Sequence, residues 1–151
     1  MHFTAPQCAV TVRVFSKRFP CTARSARLAR RVTAATLDRW EVANDIRDRA
    51  EAVVAELATN AAVHAWVRGR GFRVALRWDM TRGVLLLEVT DARGDRALPR
   101  TATSTDERHT EAESESGRGL LMVAALADRW GARPHPPSGK TVWVELDTAG
   151  L

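Results

Sequence analysis

The sequence predicts an α+β protein, a two-layer sandwich with a mostly antiparallel sheet covered on one face by about three helices. Three observations carry this prediction. Strand-type alternation comes in hairpin pairs, not as single strands spaced by helices. Helical stripes lie between those pairs, giving the order β-α-α-β-β-loop-α-β-β. The chain has 151 residues, 45% of them hydrophobic, which suits one domain with a single core and no staples.

Each element has its own signal. Residues 9–15 place Val10, Val12 and Val14 on one face of a strand, and Pro20 stops it. Thr22 or Ser25 can cap a helix running to about Trp40, with Ala26, Leu28, Ala29, Val32, Ala35 and Leu37 as its apolar stripe. Asn44 is the expected cap of a second helix, with Asp45 and Asp48 in its first turn. That helix is expected to run to about Trp66, with Gly69 and Gly71 ending it. Residues 72–78 alternate again, and Thr81-Arg82-Gly83 is the turn to a paired strand from Val84 to Thr90. Periodicity then stops from Asp91 to Gly117, which reads as a disordered stretch or a functional lid. A third helix is expected from Leu120 to about Asp128. A short strand, the turn Pro136-Pro137-Ser138-Gly139 and a last strand from Thr141 to Leu146 complete the fold.

Composition narrows the classes. A charged fraction of 27% beside the apolar content excludes a disordered, collagen-like or disulfide-scaffold chain. No apolar run approaches the roughly 18 residues of a membrane span, and the first residues lack the pattern of a secretory leader. Cys8 and Cys21 lack metal-ligand spacing and are expected as reduced thiols in a cytoplasmic protein. The net charge is +5, unevenly spread: residues 1–37 carry Lys17 and six arginines with no acid. That basic third could serve nucleic acid or an acidic protein. Because 21 of the 23 basic residues are arginine and few aromatics interleave with them, a compositional preference for arginine is favoured over nucleic-acid binding.

Three places carry chemistry. In the second helix, Glu56, Asn60 and His64 are spaced four apart and share a face among alanines. A carboxylate and an amide oxygen one turn apart can hold a hydrated Mg²⁺; a solvated face with a local hydrogen bond is the plainer alternative. Asp91 ends an apolar strand just before Gly94. Its carboxylate can accept from an exocyclic amino group such as adenine N6, or it merely closes the strand in a turn. Gly117-Arg118-Gly119 opens the third expected helix. There backbone N–H groups can approach an anion and Arg118 can reach a terminal phosphate, or the glycines simply loosen the helix entry.

Taken in order, these motifs resemble the GHKL ATPase superfamily, the Bergerat-fold enzymes that include histidine kinase-like ATPase domains. Glu56-x-x-x-Asn60-Ala-x-x-His64-Ala is similar to its N box, Asp91-x-x-Gly94 to its first glycine box, and Gly117-Arg118-Gly119-Leu120 to its second. Gly139-Lys140-Thr141-x-Trp143-x-Glu145 sits where the family has its last nucleotide-box strand. The stretch from Gly117 to Gly131 resembles most closely the anti-sigma factor serine kinases of bacterial partner-switching systems. The resemblance spans roughly residues 8 to 147. It departs at two points: Gly94 comes one residue later than the family's Asp-x-Gly, and Glu115 stands where spore-former kinases carry an arginine.

The resemblance implies a single ATPase domain binding ATP with Mg²⁺, with a lid at about 92–117. Asp91 would read adenine, Asn60 would ligate Mg²⁺ and Glu56 would act as general base. Gly117, Arg118 and Gly119 would cradle the phosphates, Thr141 would lie near the adenine, and His64, Gly94 and Leu120 would line the site. It further implies a homodimer that phosphorylates a small anti-sigma factor antagonist and sequesters a sigma factor. An ATP-holding but inactive regulator of the same fold is the alternative, and a basic nucleic-acid binder ranks last.

Overall fold

The computed structural model describes residues 10–64, 70–92 and 111–148; the side chains of His64 and of residues 111–118 are outside that description. Five strands form one antiparallel sheet: β1 (Val12–Phe19), β2 (Phe72–Asp79), β3 (Val84–Asp91), β4 (Arg129–His135) and β5 (Gly139–Asp147), in spatial order β1-β2-β3-β5-β4. Three helices accompany it: α1 (Ala23–Arg39), α2 (Asn44–Thr59) and α3 (Glu111–Leu126). Helix α2 is the centre of the helical layer, touching α1, α3 and strands β2, β3 and β5. Among the described residues no helix is long and apolar enough to cross a membrane.

The sheet's inner face is built by alternation. Phe72, Val74 and Leu76 of β2, Leu85, Leu87 and Val89 of β3, and Val142, Val144 and Leu146 of β5 are all buried. They meet Ile46, Ala50, Val53, Val54 and Leu57, which recur at helical spacing along α2. Arg49 fixes the third helix: its guanidinium donates to the carbonyl of Leu126, the last residue of α3, and lies 3.4 Å from Asp128. A cation on exposed C-terminal carbonyls is the favourable end of the helix dipole.

Several expectations need correction. β1 runs later than residues 9–15; Val10, before it, and Val14, within it, are on the open side, 66% and 70% exposed. Phe15 and Phe19 face inward instead, and Phe19 stacks on Phe72 at 5.4 Å. A ring buries more apolar area than a valine, so the aromatic pair decides which face turns in. Gly71 allows that pairing, because a Cβ there would lie 2.2 Å from the Phe19 carbonyl oxygen.

Thr22 caps α1, accepting from Ser25 N–H at 3.0 Å. Leu28 and Ala35 are exposed, whereas Thr33 and Thr36 are buried. Asn44 is not the cap of α2. Ala43 holds that position without a side-chain bond, and the Asn44 amide oxygen accepts from Arg47 at 2.8 Å. Nor does α2 continue as an α-helix to Trp66: it passes into a π-helical turn at Asn60–His64, and 65–69 lie outside the described residues.

The third helix is already wound at Glu111, nine residues before its expected start, so Gly117 and Gly119 lie inside it. The run from Glu111 to Ser116 lacks proline and glycine, so nothing in it breaks a helix. Of the expected lid, 93–110 lie outside the described residues and 111–117 are helical.

Candidate nucleotide site

The inner face of the sheet turns polar at one end, and so does α2. Glu56 and Asn60 are half-buried one α-turn apart at its C-terminal end. The Asn60 N–H still closes α, donating to the Glu56 and Leu57 carbonyls, and the π-helical turn runs from Asn60 to His64. Single π turns inside α-helices recur at functional sites. The wider turn takes the backbone at His64 out of the α-helical phase that spacing alone had given it. Ala61 and Ala62 are buried in the turn, and the Cys21 thiol, in the loop before α1, lies 3.7 Å from the Ala61 carbonyl.

Helix α3 meets this end of α2 through a glycine. A Cβ on Gly119 would stand 2.8 Å from Glu56 Oε2 and 3.7 Å from Asn60 Nδ2. The missing side chain is what leaves room for both polar groups. The first and third sequence motifs, both in the helical layer, therefore touch, and Leu120 follows directly, partly buried. The glycines do this from inside a helix, not at its opening, so the expected helix N-terminus does not lie at Gly117.

Across the layer, β3 ends in Asp91, 7% exposed, opposite Lys140 of β5. Lys140 Nζ lies 3.9 Å from Asp91 Oδ2. Next to this pair, the hydroxyls of Thr90 and Thr141 share a buried hydrogen bond of 2.7 Å. Thr141 alternates with Lys140, so its hydroxyl engages its cross-strand neighbour instead of sharing the face of Asp91. Burial pushes the Cys21 thiol above its ordinary value, and the Asp91 carboxylate adds to the rise. That coupling places the α1 entry, the π turn and the end of β3 around one spot.

The histidine kinase-like ATPase domain family matches this chain over residues 19–146. The chain belongs to that family. Comparison with curated proteins matches no relative. Within the matched residues of this histidine kinase-like ATPase domain lie Glu56 on α2, Asn60 at the start of the π turn, Gly119 on α3 and Asp91 at the sheet end.

The donor set suits Mg²⁺. Among the described residues no three His, Cys, Asp or Glu side chains gather as a metal cluster. Mg²⁺ characteristically takes one or two protein oxygens and fills the rest of its shell with water and substrate phosphate, and the Asn60 amide beside the Glu56 carboxylate meets that need.

Gly94 lies outside the described residues, as do the side chains of His64 and Arg118. Sequence reasoning assigned no role to Lys140 or Cys21. A signal for Lys140 was present. It occupies the same strand parity as Val142, Val144 and Leu146, where an inward lysine breaks the pattern. Cys21 carried no such signal, since its neighbourhood is made by the tertiary fold.

Proposed function

We propose that this histidine kinase-like ATPase domain is an ATP-dependent serine kinase of the anti-sigma factor type, acting on a small antagonist protein in the cytoplasm as a homodimer. One observation carries the reading. Gly119 stands directly against Glu56 and Asn60, so the phosphate-side helix and the acid–amide pair of α2 form one place. The basic outer side of α1, where Arg24, Arg27, Arg30 and Arg31 are exposed, suits an acidic protein face.

The chemistry is phosphoryl transfer. The serine oxygen attacks the γ-phosphorus, the bond to the β–γ bridging oxygen breaks, and ADP leaves. Glu56 accepts the hydroxyl proton and Asn60 orients the phosphate end. Mg²⁺, bound with the nucleotide, supplies charge neutralisation on the phosphates. Positioning and charge carry most of such a reaction, so a preorganised carboxylate and amide are sufficient protein parts.

Titration calorimetry of Mg²⁺ and ATP comes first, on the wild type, Asn60→Ala and Asp91→Asn. Binding to the wild type, its loss in Asn60→Ala and its weakening by about tenfold or more in Asp91→Asn support the site. γ-Labelled ATP with a candidate antagonist comes next. Label on serine that disappears in Glu56→Ala, with ATP binding retained, supports the kinase.

Helical winding of Gly117 and Gly119 favours a second reading, a nucleotide-holding regulator that transfers nothing, because a loop of free N–H groups is then missing from the phosphate end. ATP binding without phosphoserine would select it. Sedimentation of the purified chain measures the dimer.

A further inference from the structure

The inner face of the sheet ends in an ion pair where alternation calls for apolar side chains. On β3 the inward residues run Leu85, Leu87, Val89 and then Asp91. On β5 they run Leu146, Val144, Val142 and then Lys140. The register sets Asp91 directly opposite Lys140, with Nζ 3.9 Å from Oδ2 and side-chain exposures of 7% and 16%. Removing a carboxylate and an ammonium from water costs several kcal/mol each unless they answer one another. The backbone fixes their meeting: a Cβ on Gly139 would lie 2.5 Å from the Asp91 carbonyl oxygen, so β5 can approach this closely only with glycine there.

Beside Lys140 of β5, the Cys21 thiol at the α1 entry lies close enough to the Asp91 carboxylate to feel its charge, and exposed His135 of β4 pairs in register with Gly139, next to Lys140. Of these, Lys140 is the enclosed cation. An ionised carboxylate is a pure acceptor, the partner that an amino group needs, whereas a protonated carboxyl carries a competing donor. A neighbouring cation favours the ionised form in a buried place.

We propose that Lys140 is a positioning residue for base recognition: it holds Asp91 ionised and aimed, and so sets the preference for a 6-amino purine over a purine lacking that group. The proposal rests on the ATP-binding reading above and adds to it the residue that makes the base contact selective.

The test compares ATP with purine riboside triphosphate, which carries hydrogen in place of the 6-amino group. Dissociation constants are measured by calorimetry with Mg²⁺ on the wild type, Lys140→Met, Lys140→Gln, Lys140→Arg and Asp91→Asn, all in a His135→Asn background. Circular dichroism and thermal melting establish folding. The wild type should prefer ATP by about tenfold or more, as expected for a hydrogen bond to a charged group. The preference should shrink to within about threefold in Lys140→Met and Asp91→Asn and survive in Lys140→Arg. If Lys140→Met does not fold, Lys140→Gln decides by the same criterion. A folded variant without the lysine that keeps the full preference, even with both affinities lowered in parallel, makes Lys140 merely structural and overturns the inference. A wild type that binds ATP and its analogue equally also overturns it. A wild type that binds neither refutes the ATP-binding reading itself, a result distinct from the other two.

Discussion

Helix α2 and the sheet beneath it each have two ends that behave oppositely. At one end Ile46, Ala50, Val53 and Val54 meet Leu85, Val144 and Leu146, and every one of these side chains is buried and apolar. At the other end Glu56 and Asn60 lie over a region that includes Asp91, Lys140 and Cys21, and regular α winding gives way to a π turn. The chain is no less packed there, since Asp91, Ala61, Gly119 and Gly139 are all buried. What differs is the currency of the packing. The first end is stabilised by area removed from water. The second end gives up backbone regularity and desolvation to the polar groups of the proposed site.

Mutations should separate the two ends, and the largest effect belongs to the apolar one. Leu85→Ala opens a cavity at a fully buried position and should cost about 2–5 kcal/mol in urea unfolding. Nucleotide affinity of the folded protein should stay within about threefold of wild type; a large affinity loss at full folding would erase the distinction.

Gly119→Ala should do the reverse. Alanine favours the helix interior by about 1 kcal/mol over glycine, so stability should hold or rise. The new Cβ, 2.8 Å from Glu56 Oε2, must displace that carboxylate, and transfer to serine should fall by about tenfold or more. Unchanged transfer rates would remove Gly119 from the site.

A third change tests the core itself. The Thr33 hydroxyl is fully buried and makes no hydrogen bond among the described residues, whereas Thr36 donates to the Val32 carbonyl at 2.7 Å. Thr33→Val should therefore stabilise by about 1 kcal/mol, and Thr36→Val should not.

The smallest effect is electrostatic. The Cys21 thiol sits above its ordinary value of 9.0, so its folded value exceeds the unfolded one. Its contribution is intact below the unfolded value and is lost as pH rises through the folded one. Wild type should lose more stability than Cys21→Ala between pH 8 and 10. Alkylation of Cys21, followed by peptide mass spectrometry, should be slower than that of a free thiol and faster in Asp91→Asn.

The same division describes what could be read from the sequence. Periodicity is a record of apolar burial, so the apolar end was legible: the order of elements and the hairpin of β2 and β3 follow from it. Glu56, Asn60 and Asp91 could be singled out because polar residues interrupt that record at regular positions. The face of β1 was misjudged because valines and phenylalanines alternate, and periodicity alone does not say which set turns inward. The start of α3 was misjudged because Gly117 and Gly119 read as a boundary, while their tertiary role is to let a neighbouring helix approach. Lys140 and Cys21 required the fold, since each matters through a group distant in sequence.

One feature of the sheet bears on how the protein comes into being. β2–β3 and β4–β5 are local hairpins, whereas β3 pairs with β5 across α3 and β4; Thr90 and Thr141, bonded across that seam, are 51 residues apart. Closing such a loop costs entropy before any pairing is gained, which makes the seam slow relative to its hairpins. The Asp91–Lys140 pair straddles that seam. Neither hairpin alone contains the Asp91–Lys140 corner, so it arises only when the two halves of the sheet join, and a ligand gripping both sides would act as a clasp on a non-local pairing.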